Sequence, residues 1–434
     1  MPRRLCSFAT TTPELEPVWR ISGNSDNGGV TGHPQTSRRQ AAALLLGSVA
    51  FSLAILEFGC RLVGIEQPRL YRTDSDRGWT LKANVRTHWN LEGSAPVHTN
   101  SQGYRDREWA LVKEPGVLRI AVLGDSFTEA LQVPLEQTWV NQLPAAMAAV
   151  PGCRLLSGFP EGAETLNFGV GGYGTGQSWL TWQQDAQRFQ PQVVLHAVYF
   201  ENDLRDNIQA ERGSGAGPTF SLSEGKLSRS NAFRSSSDYR FRRSWAGQAS
   251  DWVLGWSRLA QLINQLKNLR NATAGEECDS SGCTFFPLGP DGTKLYGRES
   301  DDLKQGWEVL TAILKTWKQE AEVTGSQLLV TSVTTPPQLW PNANDRQTEI
   351  KKHGLNWFKP ETQLATLLEA DGIPYLPLAP ELQRQADEKG LIAHGFAGQK
   401  PGPGYGHWNK AGHKAAATVL ARKLCSLDLP GISD

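Results

Sequence analysis

The sequence has no excess of either charge and only a few cysteines. Its 44 basic and 44 acidic side chains cancel, which argues against a nucleic-acid-binding protein, because such proteins usually carry a basic surplus. Six cysteines are too few for a disulfide scaffold, and no Cys/His cluster has zinc-ligand spacing, so we expect neither a metal nor a cofactor. A content of 39% hydrophobic residues excludes a disordered chain, and 434 residues suit one large domain with insertions or two domains.

One apolar run stands out near the N-terminus. Ala41–Leu56 carries no charge but spans only about 24 Å as a helix, so it must continue to about residue 62 to cross a ~30 Å hydrocarbon core. We predict a transmembrane signal anchor at 41–62, because the preceding stretch is longer than the n-region of a cleaved signal peptide. A buried core helix is the alternative. Residues 1–40 are predicted to be a disordered tail, and we expect the domain after the anchor to lie outside the cytoplasm.

Apolar runs alternate with helical stretches after the anchor. Residues 66–115 are predicted to be a lead-in segment with short strands, and residues 116–434 to be an α/β domain whose parallel sheet is covered on both faces. The predicted strands are 118–123, 192–200 and 327–333, with a weaker one at 375–378. The predicted helices are 178–189, 302–323 and 409–424.

The stretch at about 209–298 breaks this alternation. Its Gly-, Ser- and Pro-rich segments, with helical pieces near 245–269, predict an insertion or cap on the sheet. Cys278 and Cys283 bracket the sequence DSSG and could close a small disulfide loop or remain free thiols.

Two turns that contain glycine include candidate catalytic groups. Ser126, in Gly124-Asp125-Ser126, directly follows a predicted strand and is a candidate nucleophile or a helix N-cap. The Gly-rich turn at 167–174 includes Gly172, and its backbone N–H groups could bind an oxyanion, unless it is a plain structural turn. No strong strand is predicted before this turn.

Two further polar residues are expected at the same edge of the sheet. Asn202 follows the strand at 192–200, and its side-chain amide could donate to an oxyanion beside Ser126. His407, in GHWNKAGH, lies where a loop enters the last helix and is a candidate general base for the serine. His413 lies six residues further on and is interpreted as a helix-face residue.

These four blocks, in this order, resemble the SGNH hydrolase superfamily of GDSL-type esterases and their acyltransferase relatives, in particular membrane-anchored bacterial members. The resemblance covers about 118–424. It implies a three-layer α/β/α, flavodoxin-like fold, with Ser126 as nucleophile and His407 as general base. It also implies an oxyanion hole formed by the N–H groups of Ser126 and Gly172 and by Asn202.

The sequence departs from this family pattern at two places. Phe200 stands where the third block usually has glycine. The family's acidic residue lies two or three positions before the histidine, where this chain has Tyr405 and Gly404. Either His407 works as a Ser–His dyad with a pKa near the ordinary ~6.5, or a distant carboxylate completes the triad. In a dyad, an Asp at 404 or 405 would raise activity. With a distant acid present, it would be neutral or harmful.

The resemblance implies a serine esterase that hydrolyses or transfers an acyl group on a carbohydrate or lipid ester of the cell envelope. The alternative, motivated by the missing acid, is a non-catalytic module that binds polysaccharide. The expected partners are the ester substrate and, through one helix, the membrane, with no nucleic acid. The acyl chain, the alcohol and the oligomeric state stay open.

Overall fold

The computed structural model describes residues 37–208, 217–273, 286–288, 292–429 and 432, with side chains omitted for 268–273. Most of the predicted tail, as well as Cys278 and Cys283, lies outside the described residues. The chain divides into two compact units, Met1–Ile55 and Leu56–Asp434. The described part of the first unit is helical from Arg38 onward.

Helix α1 runs from Arg38 to Leu62 and begins slightly before the predicted anchor. Its early start follows from a capping box, in which the Gln40 N–H donates to Ser37 Oγ and the Ser37 N–H donates to the Gln40 side chain. Its 25 residues span about 37 Å. Among the described residues it is the one helix long and apolar enough to cross a bilayer, with a mean hydropathy of 2.0 in its most apolar window.

The lead-in segment forms two antiparallel hairpins. The first pairs β1, Tyr71–Asp74, with β2, Gly78–Leu81, and the second pairs β3, Arg86–Trp89, with β4, Ala95–His98. The remaining strands and helices follow in chain order: β5 Leu118–Gly124, α2 Ser126–Glu129, α3 Trp139–Ala148, β6 Ala163–Asn167, α4 Thr175–Thr181, β7 Val193–Val198, α5 Phe200–Asp206, β8 Thr219–Ser223, β9 Lys226–Ser230, α6 Ser237–Arg243, α7 Trp245–Trp256, α8 Arg258–Thr273, α9 Gly292–Leu295, α10 Asp301–Val323, β10 Gln327–Ser332, α11 Ala343–His353, α12 Lys359–Ala370, β11 Tyr375–Pro377, α13 Ala379–Lys389 and α14 Lys410–Cys425.

Five parallel strands form the central sheet in the order β11-β10-β7-β5-β6. Numbered by their succession along the chain, these strands have the order 2-1-3-4-5, which is the flavodoxin-like arrangement. The predicted fold class is therefore confirmed, and each predicted apolar run contains a strand. The expectation that no strong strand precedes the Gly-rich turn was wrong, because β6 ends at Asn167. This edge strand is only half-buried at its start, so its sequence AETLN lacks a continuous apolar run.

Alternate side chains of β5 enter two separate cores. Leu118, Ile120 and Val122 pack on one face of the sheet with residues of α3 and α14, whereas Ala121 and Leu123 pack on the other with residues of α10 and α12. A strand buried on both faces has to be apolar throughout, which explains why the run LRIAVL was recognisable in the sequence. The result is a three-layer α/β/α arrangement.

A disulfide joins Cys153, in the connection between α3 and β6, to Cys425 at the end of α14. The two residues are 272 positions apart, so their spacing gave no signal in the sequence. Disulfides persist mainly in oxidising compartments outside the cytosol.

Candidate active site

Ser126 is the first residue of the short helix α2, immediately after β5. The helix N-cap is Asp125, whose side chain accepts from the Phe127 N–H at 2.9 Å. Because Asp125 serves as the cap, the hydroxyl of Ser126 is left for other contacts. The side chain of Ser126 is only half-buried, so a substrate can reach it from solvent.

The structure brings Ser126 and His407 together and adds a carboxylate. His407 Nε2 lies 2.8 Å from Ser126 Oγ, and His407 Nδ1 lies 2.5 Å from Glu92 Oε2. The second oxygen of Glu92 accepts from the backbone N–H of His407 at 2.6 Å. The three side chains form the hydrogen-bonded chain of a Ser–His–acid triad.

Glu92 is the distant carboxylate that the sequence left open. It lies at the tip of the β3–β4 hairpin, 315 residues before His407, and no local spacing links the two positions. The loop before His407 is shaped to receive it. Gly406 has φ +64°, and a Cβ added there would overlap Glu92 Oε1. Glycine at 406 therefore satisfies both the backbone conformation and the close approach of the carboxylate.

Contacts on the other side of the acid hold the hairpin tip in place. The Gly93 N–H donates to Gln399 Oε1 at 2.6 Å, and Gln399 Nε2 donates back to the Gly93 carbonyl at 3.1 Å. Gly93 has φ +69°, and a Cβ there would overlap the carbonyl oxygen of Gln132. The turn that carries Glu92 is thus fixed against both the His407 loop and the segment after α2.

The positions where the family pattern places its acid have structural roles instead. The ring of Tyr405 packs edge-on against Trp340, with centroids 5.0 Å apart. A Cβ added at Gly404 would lie 2.7 Å from the Trp340 ring. We therefore expect Asp at 404 or 405 to be neutral or harmful, because Glu92 already occupies the acid's position.

The contact between Glu92 and His407 shifts the pKa of both side chains. Burial by itself lowers the pKa of His407, but the hydrogen bond and negative charge of Glu92 outweigh it, and the pKa is raised above its ordinary value. Burial likewise favours a higher pKa for Glu92, but its hydrogen bonds from His407 and the charge of that ring bring the pKa below its ordinary value. The ordinary pKa that we expected for a Ser–His dyad therefore does not apply, because Glu92 lies at the ring of His407.

Asn202, in the first turn of α5, contacts the residue that precedes the serine. Its Nδ2 donates to Asp125 Oδ2 at 3.2 Å. An amide nitrogen carries two hydrogens, so this contact orients the group and leaves the second N–H for another acceptor. Burial raises the pKa of Asp125 to about 6. The neighbouring Phe200, which stands in place of the family's glycine, packs into the core against Trp307.

Gly172 lies on the loop between β6 and α4 with φ +77°, against the ring of Trp79. The Trp79 Nε1–H donates to the carbonyl of Gly171 at 3.0 Å. The N–H of Gly171 donates to Glu129, whose two oxygens also accept from the Tyr71 hydroxyl at 2.8 Å. Burial raises the pKa of Glu129 to about 7. Glu129 thereby ties this loop to α2, three residues after the serine.

The other histidines near the sheet edge belong to the core. His413 is buried against Trp408, and burial lowers its pKa to about 3, in agreement with its interpretation as a helix-face residue. His394 also lies close to the site. Its Nδ1 is 2.7 Å from the Gly406 carbonyl oxygen, and burial lowers its pKa to about 4. A buried neutral imidazole there supports the loop that carries His407.

Comparison with known proteins gives matches only among solved structures. No family model and no curated protein matches the sequence. An acetylxylan esterase from Geobacillus stearothermophilus, crystallised as a catalytic mutant, is 10% identical, with a TM-score of 0.33, over 70% of this chain and 93% of that one. A GDSL-like lipase from Bacteroides thetaiotaomicron is 11% identical, with a TM-score of 0.28, over 71% and 87%. The roles of individual residues in this chain rest on its own geometry.

Proposed function

We propose that this protein is a serine esterase that uses a Ser126–His407–Glu92 triad to hydrolyse, or transfer, an acyl group on a carbohydrate or lipid ester of the cell envelope. The observation that carries the proposal is the unbroken hydrogen-bonded chain from Ser126 Oγ through both ring nitrogens of His407 to Glu92. In this chain a neutral imidazole has its acceptor nitrogen at the hydroxyl and its N–H at the carboxylate.

In the acylation step, Ser126 Oγ attacks the ester carbonyl carbon while its proton passes to His407 Nε2. The carbonyl electron pair moves to the oxygen, where the N–H groups of Ser126 and Gly172 and the free N–H of Asn202 would stabilise the negative charge. Glu92 stabilises the imidazolium that forms. As the tetrahedral intermediate collapses, the imidazolium gives its proton to the departing alcohol oxygen, which leaves an acyl-serine.

The second step repeats this chemistry with a different nucleophile. Water, or a sugar hydroxyl, loses its proton to His407 and attacks the acyl carbon, and Ser126 departs with that proton. Water gives hydrolysis, whereas a sugar hydroxyl gives acyl transfer.

The alternative of a non-catalytic polysaccharide-binding module was motivated by the missing acid. The contact of the Glu92 carboxylate with His407 Nδ1 favours the esterase over this alternative. Catalysis requires a negatively charged side chain beside His407 to stabilise its imidazolium, whereas carbohydrate binding does not.

The substrate class is proposed from the surroundings of the site. A cavity of about 840 Å³ is lined by Tyr71 and Trp79, whose polar ends contact Glu129 and Gly171 next to the proposed oxyanion hole. The same wall carries the guanidinium groups of Arg69 and Arg72, and its Arg242 is paired with Asp238. The aromatic faces and the two arginines suit the alcohol part of a glycan or lipid that bears negative charge.

We further propose that α1 is a membrane anchor and that the domain lies outside the cytoplasm. The length and hydropathy of α1 support the anchor, and the Cys153–Cys425 disulfide supports the oxidising side of the membrane. Protease added to intact spheroplasts should degrade the domain, and complete protection would contradict this orientation.

The activity is tested with p-nitrophenyl acetate and the purified full chain. We expect turnover that is lost in Ser126→Ala and in His407→Ala. The control is Glu114→Gln, at an exposed position, which should keep the wild-type turnover. Equal turnover in the wild type and Ser126→Ala would contradict the proposal.

A further inference from the structure

Helix α7 carries three tryptophans on one exposed face. Trp245, Trp252 and Trp256 are 83%, 69% and 59% exposed. At 100° per residue, spacings of seven and eleven place them within an arc of about 40° along roughly 17 Å of helix. The rings of Trp252 and Trp256 are stacked, with an interplanar angle of 4°. Such a contiguous aromatic surface, which we call the tryptophan stripe, is uncommon on a soluble protein and indicates an interaction surface.

The stripe ends where the membrane helix joins the domain. Glu57, in the last turns of α1, accepts from the backbone N–H groups of Arg258 and Leu259 and from Ser257 Oγ at 2.9–3.0 Å, and so caps the start of α8. Arg61 donates to the carbonyl of Trp256 at 2.9 Å, and its guanidinium lies 5.2 Å from the centre of that ring. The junction of α7 and α8 is therefore fixed to the residues that immediately follow the apolar run.

The neighbouring helices continue the amphipathic character of this surface. Ile263 and Leu266 on α8 are 60% and 57% exposed. Helix α6 carries the exposed basic residues Arg240 and Arg243, together with Phe241, which is 55% exposed. Tryptophan is enriched at the membrane–water interface, and basic side chains beside an apolar face attract anionic lipid headgroups.

We propose that the tryptophan stripe lies in the headgroup layer of the same bilayer that α1 crosses, so that α7 runs along the membrane surface and fixes the orientation of the catalytic domain. The proposal rests on α1 being a membrane helix. It commits to a lipid surface because the stripe is continuous with the end of α1 and is flanked by basic side chains. A helix that merely tethered the domain would not require any of these exposed rings.

The test uses the full chain reconstituted in vesicles of phosphatidylcholine and phosphatidylglycerol, with and without bromine on the acyl chains. Bromine quenches tryptophan fluorescence on contact, and α1 contains no tryptophan, so the anchor itself gives no signal. The fluorescence of the stripe is obtained by subtracting the spectrum of a Trp245→Ser, Trp252→Ser, Trp256→Ser triple variant. Because these side chains are exposed, the variant is expected to fold, which an unchanged far-ultraviolet circular dichroism spectrum verifies.

We expect brominated lipid to lower the fluorescence of the stripe about twofold, since an interfacial helix buries its apolar face ~5–10 Å into the acyl boundary. The matched control is Val323→Trp, which places a tryptophan at the 88% exposed last residue of α10. The fluorescence of this added tryptophan should not be quenched. Equal stripe fluorescence in both lipids would overturn the proposal, as would stripe quenching no greater than that of the control. A wild-type chain released from vesicles by alkaline carbonate would overturn the anchor and this proposal together.

Discussion

Replacing Glu92 by glutamine tests the part of the site that the sequence did not locate. Both groups that contact this carboxylate are donors in the reactive state, because the backbone N–H of His407 always donates and Nδ1 carries the ring proton. A glutamine has only one acceptor oxygen. With that oxygen on the backbone N–H, its amide N–H₂ faces Nδ1, and the ring proton moves to Nε2. That nitrogen can then no longer accept the proton of Ser126.

The expected loss follows from this change of tautomer. In the serine-protease template, the same exchange of acid for amide lowers kcat by about 10⁴, which corresponds to about 5.4 kcal/mol at ~1.36 kcal/mol per tenfold. We expect a loss of this order in kcat for p-nitrophenyl acetate, with KM little changed, because Glu92 contacts His407 rather than the substrate. The control is Glu114→Gln, at an exposed position of the same lead-in segment, which should keep the wild-type rate.

The pH profile separates this role from a merely structural one. His407 must be neutral to act as a base, and Glu92 raises its pKa, so wild-type kcat/KM should fall as the pH drops through a value above the ordinary 6.5. In Glu92→Gln the negative charge is gone, so the acidic limb of the remaining activity should move to lower pH. A Glu92→Gln enzyme within about threefold of the wild type, with an unmoved acidic limb, would refute the triad.

Three further variants test two positions at the site and the disulfide. Gly406→Ala should reduce kcat strongly, because the added Cβ displaces Glu92. The control Gly354→Ala has a similar backbone strain at φ +65°, but no described heavy atom lies within 4 Å of its Cβ, so it should keep the activity. Equal losses in both variants would contradict this role of Gly406. Asn202→Ala should lower kcat by about 10²–10³, as expected for the loss of an oxyanion donor, with a smaller change in KM; an unchanged kcat would remove Asn202 from the oxyanion hole. Replacing Cys153 and Cys425 by serine should lower the free energy of unfolding by roughly 2–5 kcal/mol in urea titrations, and an unchanged midpoint would contradict the bond's stabilising role.

Local patterns in the sequence predict much of this fold. The strands β5, β7 and β10 are buried on both faces, so their apolar runs are continuous and could be recognised without a structure. The polar residues that follow β5 and β7 include Ser126 and Asn202, and parallel strands bring their C-terminal ends to one edge. That rule predicts Asn202 beside Ser126, and in the structure Asn202 contacts Asp125, the residue before the serine. Strand β6 could not be recognised from the sequence, because an edge strand is partly exposed and does not need a continuous apolar run.

The acid of the triad could not be found by spacing. Glu92 comes from a hairpin that precedes the sheet, and it reaches His407 only because the tertiary fold lays the hairpin tip over the loop around Gly406. The same limit applies to the Cys153–Cys425 disulfide, whose partners lie on separate elements far apart in the chain. A glycine at 93 or 406 marks a special backbone position, but its partner is visible only in three dimensions.

The most direct test of the central claim is to trap the nucleophile in the full chain. A fluorophosphonate probe reacts with a serine whose hydroxyl is activated by a neighbouring base, and peptide mass spectrometry locates the adduct. We predict a single adduct on Ser126 that is absent from Ser126→Ala and forms far more slowly in His407→Ala and Glu92→Gln. An adduct on another residue, or labelling of Ser126 at the same rate in all three backgrounds that retain it, would contradict the triad.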